Sequence, residues 1–166
     1  MSSCIELKGI QRRFGTIRVL EDVNITVNRG EVRAMVGEHG AGKSTIAKIM
    51  GGLLPPSAGE IRLFDERPQA RKNQFPGVEV VHQTIELMQN LTVSENMFAT
   101  DHEKLPPILK SRRGLLAFTN EYFDGAGIQL RGENLVSELK RADWVLIDIL
   151  RKLYREPRLL ILDEAI

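Results

Sequence analysis

Residues 37–45, which read GEHGAGKST, have the residue types and spacing that most directly predict chemistry in this sequence. They fit the phosphate-binding pattern G-x-x-x-x-G-K-S/T, in which glycines let successive backbone N–H groups face one point and form a nest for phosphate oxygens. In this pattern Lys43 reaches the β- and γ-phosphates, and the Ser44 hydroxyl helps to hold Mg²⁺. The predicted nucleotide contacts are Gly37, Gly40, Ala41, Gly42, Lys43, Ser44 and Thr45.

The sequence on either side of this loop predicts the elements that must position it. Residues 32–36 form a short, mostly apolar run with the length of a buried strand. After the loop, apolar residues recur at the spacing of one helical face, at Ile46, Ile49, Met50 and Leu53. The order strand, glycine loop, helix predicts an α/β domain in which the positive end of the helix dipole faces the phosphates.

A pair of acidic residues forms a second candidate site near the end of the sequence. Asp163 and Glu164 directly follow a run of four apolar residues, 159–162, which predicts a short strand. Successive side chains of a strand point to opposite faces, so Asp163 can reach Mg²⁺ or its water while Glu164 turns toward an attacking water. Such a pair is common in isolation, but after a phosphate-binding loop it predicts a hydrolytic site.

The remaining pattern predicts a β layer before the loop and a helical layer after it. Alternating apolar residues predict strands at 4–10, 23–28, 61–63 and 78–83. Helices are predicted from 91, over 115–123 and over 143–154, the last with an apolar stripe at Leu146, Ile149, Leu150 and Leu153. We expect one domain in three parts: the β layer and loop core in 1–90, a helical subdomain in 91–138, and the last helix and strand in 139–166.

The composition limits the classes of function. A chain with 42% hydrophobic and 27% charged residues is ordinary for a soluble globular protein, and a net charge of +1 predicts no general attraction to nucleic acid. The single cysteine, Cys4, excludes an internal disulfide. The N-terminus lacks the pattern of a signal peptide, and no apolar run approaches the ~18 residues of a transmembrane helix. We therefore expect a cytoplasmic location, with any membrane association through a partner.

These motifs together resemble the nucleotide-binding domain of ABC transporters, most closely the ATPase subunits of bacterial sugar importers. GEHGAGKST is similar to the family's GENGAGKST, and LPPSAGEIRL, VVHQ, LTVSENMF and LLILDEA resemble successive family segments, the last being the Walker B strand. The resemblance covers nearly the whole sequence. It implies an α/β fold, a P-loop NTPase core of the ABC type with an antiparallel β subdomain and an inserted helical subdomain, incomplete at its C-terminus.

The resemblance also implies roles for particular residues. Gln83 lies at the family's Q-loop, where the glutamine contacts Mg²⁺ or the attacking water and the loop meets the permease. Asp163 matches the metal-side acid, and Glu164 matches the general base. Phe14 matches the aromatic residue that stacks on adenine, although a phenylalanine at a strand end is also a common core residue. The implied ligands are ATP and Mg²⁺.

Two departures from the family limit the expected activity. Where sugar importers have the signature LSGGQ or LSVAQ, residues 139–143 read LKRAD, so Lys140 replaces the serine and Asp143 replaces the glutamine. The aspartate carboxylate adds like-charge repulsion to a phosphate, so this half-site is expected to be weak or inactive.

The second departure is that the sequence ends three residues after Asp163, so it resembles an N-terminal portion truncated before the family's D-loop and switch histidine. Two core strands would then lack their usual neighbour, and we expect either strand borrowing from a second copy or imperfect packing near 159–166. We also expect little hydrolysis by this chain alone.

The resemblance implies an importer motor that binds and hydrolyses ATP. Its implied partners are a second ABC ATPase domain, a transmembrane permease and, indirectly, a solute-binding protein, with no nucleic acid, on the inner face of the cell membrane. Two alternatives stay open: a soluble ABC-type ATPase not tied to transport, and a nucleotide-binding module with little hydrolysis because of LKRAD. A P-loop kinase or GTPase does not account for VVHQ and LTVSEN.

Overall fold

The structure, a computed structural model, describes residues 3–68, 75–99, 105–107 and 111–163. By its internal contacts the chain divides into two compact units. The first consists of Met1–Val80 with Glu156–Glu164, and the second of Val81–Arg155 with Ala165–Ile166. The three-part division expected from the sequence stays a prediction.

The first unit is built on a three-stranded antiparallel sheet with the order β2-β1-β3. The strands are β1 (Ser3–Phe14), β2 (Ile17–Asn28) and β3 (Ala58–Leu63). The central strand places Ile5 opposite both Val27 and Leu63, and all three side chains are buried. The antiparallel β layer predicted from alternation is therefore confirmed.

One helix and a second sheet complete the first unit. Helix α1 (Lys43–Met50) buries Ile46, Ala47, Ile49 and Met50 in the same apolar core as β1. Strand β4 (Val78–Val81), whose last residue begins the second unit, pairs with β5 (Leu159–Leu162). The predicted helix stripe was wrong at Leu53, which is exposed because the helix ends before it at Gly51.

The strand predicted at 32–36 is the main error of the sequence analysis. No strand or helix forms over 31–38, and the side chains of Val32 and Val36 are 100% and 92% exposed. A strand needs a hydrogen-bonded neighbour, and the described residues pair none with this segment. Strand β5, in contrast, has β4 as its neighbour and buries Ile161. Among the described residues, the predicted strand that lacks a hydrogen-bonded neighbouring strand is therefore the one at 32–36, and not the one at 159–162.

The second unit contains the helices that the sequence predicts from 91, over 115–123 and over 143–154. It contains α2 (Val93–Phe98), α3 (Arg112–Gly125), a 3₁₀ turn (Val136–Glu138) and α4 (Arg141–Leu153). A capping box at Thr92 and Glu95 starts α2: the Glu95 N–H donates to the Thr92 hydroxyl, and the Thr92 N–H donates to the Glu95 carboxylate at 2.8 Å. The Ser111 hydroxyl caps α3 by accepting from the Gly114 N–H at 3.0 Å.

The buried face of α4 differs from the predicted apolar stripe. Leu150 is buried as expected, but Leu153 is exposed, and Ile147 is fully buried together with Asp148 and Lys152. The charged residues can be buried here because the Asp148 carboxylate pairs with Lys152 and with Arg151 on the same helix. The apolar pattern did not predict the buried face of α4, because ion pairs within the helix allow the charged side chains of Asp148 and Lys152 to be buried there.

Candidate functional site

The glycine loop is held in a conformation that only glycine adopts easily. Gly40 and Gly42 have φ angles of 83° and 89°, in the left-handed region, and Gly42 is the residue that directly precedes α1. A Cβ at Gly42 would lie 2.7 Å from Leu20 Cδ2 and 3.2 Å from the Val19 carbonyl oxygen. Close packing of β2 against the loop and the left-handed turn into the helix both require glycine at this position.

The Lys43 side chain folds back over the loop. Its Nζ donates to the carbonyl oxygens of Gly37 at 2.9 Å and Glu38 at 2.7 Å. The ammonium group therefore lies at the loop itself, where a phosphate oxygen could accept its third N–H. Helix α1 begins at this same lysine, so its first backbone N–H groups, which have no acceptor within the helix, also lie at the loop.

Ser44 and Asp163 come together although 119 residues separate them in the sequence. The Ser44 hydroxyl donates to Asp163 Oδ1 at 2.8 Å, and Asp163 is only 7% exposed. Both residues belong to the first unit: Ser44 lies in the first turn of α1, and Asp163 directly follows β5. Ile161 of β5 packs in the same apolar core as Ile46 and Ile49 of α1, which places the carboxylate beside the loop.

This pair fits a magnesium ion that is bound together with a phosphate. Hydroxyl and carboxylate oxygens are ligands that Mg²⁺ prefers, and one or two protein ligands with phosphate and water oxygens are its usual coordination. Among the described residues no group of three or more His, Cys, Asp or Glu side chains could hold a metal ion without such help. Ser44 and Asp163 would therefore be the protein ligands, with nucleotide oxygens completing the site.

The segment that leads into the loop is anchored at its start. The Glu31 carboxylate accepts from the Asn28 N–H at 2.8 Å and forms an ion pair with Arg33. The hydrogen bond from the Asn28 backbone, followed by that from Arg33, holds the pKa of Glu31 below its usual value. This contact fixes the end of β2 and the first residues after it, whereas Val32 and Val36 remain exposed.

Phe14 is not a core residue, because its side chain is 46% exposed at the end of β1. Its partner in the hairpin register is Ile17, three residues before Leu20, which packs against the loop at Gly42. The ring is therefore accessible and not part of the core, and its stacking on adenine stays a prediction.

Arg12 is a neighbour of this ring that the sequence analysis missed. Its guanidinium carbon lies 4.6 Å from the centroid of the Phe14 ring. Residues i and i+2 of a strand share a face, so an arginine two positions before a candidate stacking aromatic was the available signal.

Two predicted catalytic residues, Gln83 and Glu164, lie outside the part of the first unit that the structure describes. Gln83 is exposed in the second unit, two residues after β4, and Glu164 lies outside the described residues. Of the remaining loop residues, Ala41 is exposed and Thr45 is half-buried at the start of α1. The roles of all these residues stay predictions.

The departure from the family signature has a local structural role in the second unit. The Asp143 carboxylate accepts from the Lys140 backbone N–H at 3.2 Å, and thus closes the N-terminus of α4. Trp144 is fixed beside it, because its Nε1 donates to the Val136 carbonyl oxygen at 2.8 Å. The Asp143 carboxylate therefore caps the helix to which it belongs, and its effect on the binding of a phosphate stays a prediction.

Comparison with solved structures defines the class of the fold. One neighbour is cbiO1 from Clostridium perfringens, described as part of the ABC transporter complex cbiONQ, with a TM-score of 0.80, 22% identity, and coverage of 98% of this chain and 66% of that one. Another is the ADP conformation of MJ1267, an ATP-binding cassette, with a TM-score of 0.79, 22% identity, and coverage of 100% and 70%. The chain thus has the P-loop NTPase fold of ATP-binding cassettes, as predicted.

The sequence comparisons identify the family. The family model for ABC transporters matches residues 20–166, and the chain belongs to this family. A similar relative is the ribose import ATP-binding protein RbsA of Yersinia pestis, 34% identical over 164 residues that cover 96% of this chain and 32% of the relative. RbsA 2 of Mesorhizobium japonicum is 36% identical over 171 residues, covering 98% and 33%. The chain spans about a third of the length of these relatives.

Proposed function

We propose that this chain binds ATP with Mg²⁺ as the nucleotide-binding part of an ATPase subunit of a sugar importer. The observation that carries the proposal is the hydrogen bond between Ser44 and Asp163, which joins the phosphate-binding loop to the acidic end of β5. Neither motif is decisive alone, but a hydroxyl and a buried carboxylate beside a glycine loop form a site for a nucleotide–metal complex.

Each residue then has a defined task. Lys43 exchanges the carbonyl oxygens of the loop for β- and γ-phosphate oxygens, and backbone N–H groups of the loop bind the phosphates. Ser44 and Asp163 hold Mg²⁺, which when bound neutralises phosphate charge. Phe14 stacks on adenine. Gln83 contacts Mg²⁺ or orients the attacking water. Glu164, as the general base, accepts a proton from that water.

Sugar is the proposed class of solute, because the relatives are named as ribose import ATP-binding proteins. The same names favour import over the two alternatives, a soluble ABC-type ATPase not tied to transport and a nucleotide-binding module with little or no hydrolysis. The proposed partners are a second ABC ATPase domain and a permease, with a solute-binding protein acting through the permease and no nucleic acid. No helix of the described residues has the length and apolarity needed to cross a membrane. The proposed location is the cytoplasmic face of the cell membrane, reached through the permease.

The nucleotide site is tested by calorimetric titration of ATP with Mg²⁺ into the wild-type chain and two lysine variants. Lys43→Ala removes the charge that lies at the loop, whereas Lys48→Ala removes an exposed charge from the same helix and serves as the matched control. A hydrogen bond to a charged group contributes about 1.5–3 kcal/mol, so Lys43→Ala should weaken ATP binding by about 10- to 150-fold. Lys48→Ala should bind like wild type. Equal loss in both variants, or no binding by wild type, would contradict the proposal.

The metal contacts are tested by Asp163→Asn, which keeps an acceptor for the Ser44 hydroxyl but loses the charge. The gain in ATP affinity on adding Mg²⁺ should shrink in this variant, while affinity without Mg²⁺ should not fall. Import is tested in cells that lack the gene, by uptake of labelled ribose and of other sugars. Normal uptake of every sugar would reject the assignment to sugar import without affecting the nucleotide site. The expected low hydrolysis by this chain alone is measured by phosphate release.

A further inference from the structure

We propose that Arg12 is a positioning residue for the nucleotide base, holding the Phe14 ring by one face so that its other face is presented for stacking. This inference rests on the proposed function, because it concerns the base of the same nucleotide. The geometry that carries it is a guanidinium carbon 4.6 Å from the ring centroid at the exposed tip of the β1–β2 hairpin.

The Arg12 side chain is itself fixed, which a positioning residue requires. Its Nη1 donates to the Pro55 carbonyl oxygen at 2.7 Å, so the guanidinium is attached to the segment that follows α1. Its Nε is buried and has no hydrogen-bond partner among the described residues. Two contacts therefore locate the guanidinium group: the hydrogen bond to the Pro55 carbonyl oxygen and the face of the Phe14 ring.

The backbone around Arg12 is fixed by the same segment. The Arg13 N–H donates to the Ser57 hydroxyl at 3.1 Å, and the Ser57 N–H donates to the Gln11 carbonyl oxygen at 2.7 Å. These contacts join the end of β1 to the chain between α1 and β3 on both sides of Arg12. The backbone of Arg12 is thus joined to the segment between α1 and β3, whereas the Phe14 side chain is 46% exposed.

Two physical effects follow for stacking. An exposed phenylalanine has several rotamers, and contact with a fixed cation selects one, so less entropy is lost when a base binds. A cation over one face also draws the π electrons of the ring toward itself and away from the opposite face, which favours contact of that opposite face with the electron-rich surface of a purine. Both effects change the affinity for the base and not for the phosphates. They therefore distinguish the proposed role of Arg12 from a general attraction between its positive charge and the phosphates.

The test measures binding of two ligands, ATP and inorganic tripolyphosphate, to the full chain and its variants. An exposed cation–π contact predicts that Arg12→Ala weakens ATP binding by about two- to fivefold and leaves tripolyphosphate binding unchanged. Arg13→Ala is the matched control, since Arg13 is an exposed arginine on the neighbouring position of β1, and it should change neither affinity. Arg12→Lys, which keeps a cation but loses the planar group, should give a smaller loss and guards against a folding defect in the alanine variant.

A double-mutant cycle with Phe14→Ala separates positioning from a structural role. Arg12→Ala should have no further effect on ATP binding when Phe14 is already alanine, because the ring it positions is gone. Additive losses, or equal losses for ATP and tripolyphosphate, would overturn the role of Arg12 while leaving the nucleotide site intact. If wild type binds neither ligand, the proposed function fails and the role of Arg12 fails with it.

Discussion

Substitution of Gly42 by alanine tests whether the geometry of the loop explains its sequence. The left-handed φ of 89° costs an L-residue about 1–2 kcal/mol. The added Cβ would also meet Leu20 Cδ2 at 2.7 Å and the Val19 carbonyl oxygen at 3.2 Å, and Leu20 is buried and has little room to move. Overpacking of this kind costs about 1–3 kcal/mol, so the total loss of stability should be about 2–5 kcal/mol.

Gly40→Ala provides a matched control for this prediction. Gly40 also has a left-handed φ, 83°, but a Cβ there would have no atom within 4 Å. Only the backbone cost of about 1–2 kcal/mol applies, and the effect of glycine replacement on the unfolded chain cancels between the two variants. Urea unfolding followed by circular dichroism gives both free energies. If Gly42→Ala were no less stable than Gly40→Ala, the packing of β2 against the loop would be refuted.

Further predictions concern the starts of the helices in the second unit. Thr92→Ala should lower stability by about 1 kcal/mol in urea unfolding, because it removes the cap of α2. Hydrogen bonds from the Thr92 backbone and hydroxyl lower the pKa of Glu95, so its contribution is present above the unfolded-state pKa and disappears as the pH falls through the lower folded-state value. Glu95→Gln should therefore be less stable than wild type at neutral pH and equally stable in acid, and a pH-independent difference would exclude this origin. Asp143→Ala should cost about 0.3–1 kcal/mol by removing the carboxylate at the start of α4, and no change in the urea midpoint would show that this contact contributes nothing.

Local sequence was sufficient to predict secondary structure where interactions between residues a few positions apart determine it. The glycine loop and the helix after it were predicted from residues within a few positions of each other, as were the alternating strands of the β layer and a helix beginning near 91. The backbone conformation of glycine, helical spacing and strand alternation all act over this short range. The motif residues also predicted the family, which the comparisons confirm.

Only the tertiary structure decided which distant groups meet and which apolar segments are buried. Ser44 and Asp163, which the motifs assign to one predicted site, meet across 119 residues because Ile161 of β5 packs in the same apolar core as α1. The apolar run at 32–36 reads as a buried strand, yet it is exposed because burial depends on a neighbouring strand and not on its own residues. Phe14 reads equally well as core or surface, and its position at the tip of a hairpin beside Arg12 makes it accessible. Sequence thus determined the parts of the proposed nucleotide site, and long-range packing determined which of them lie together.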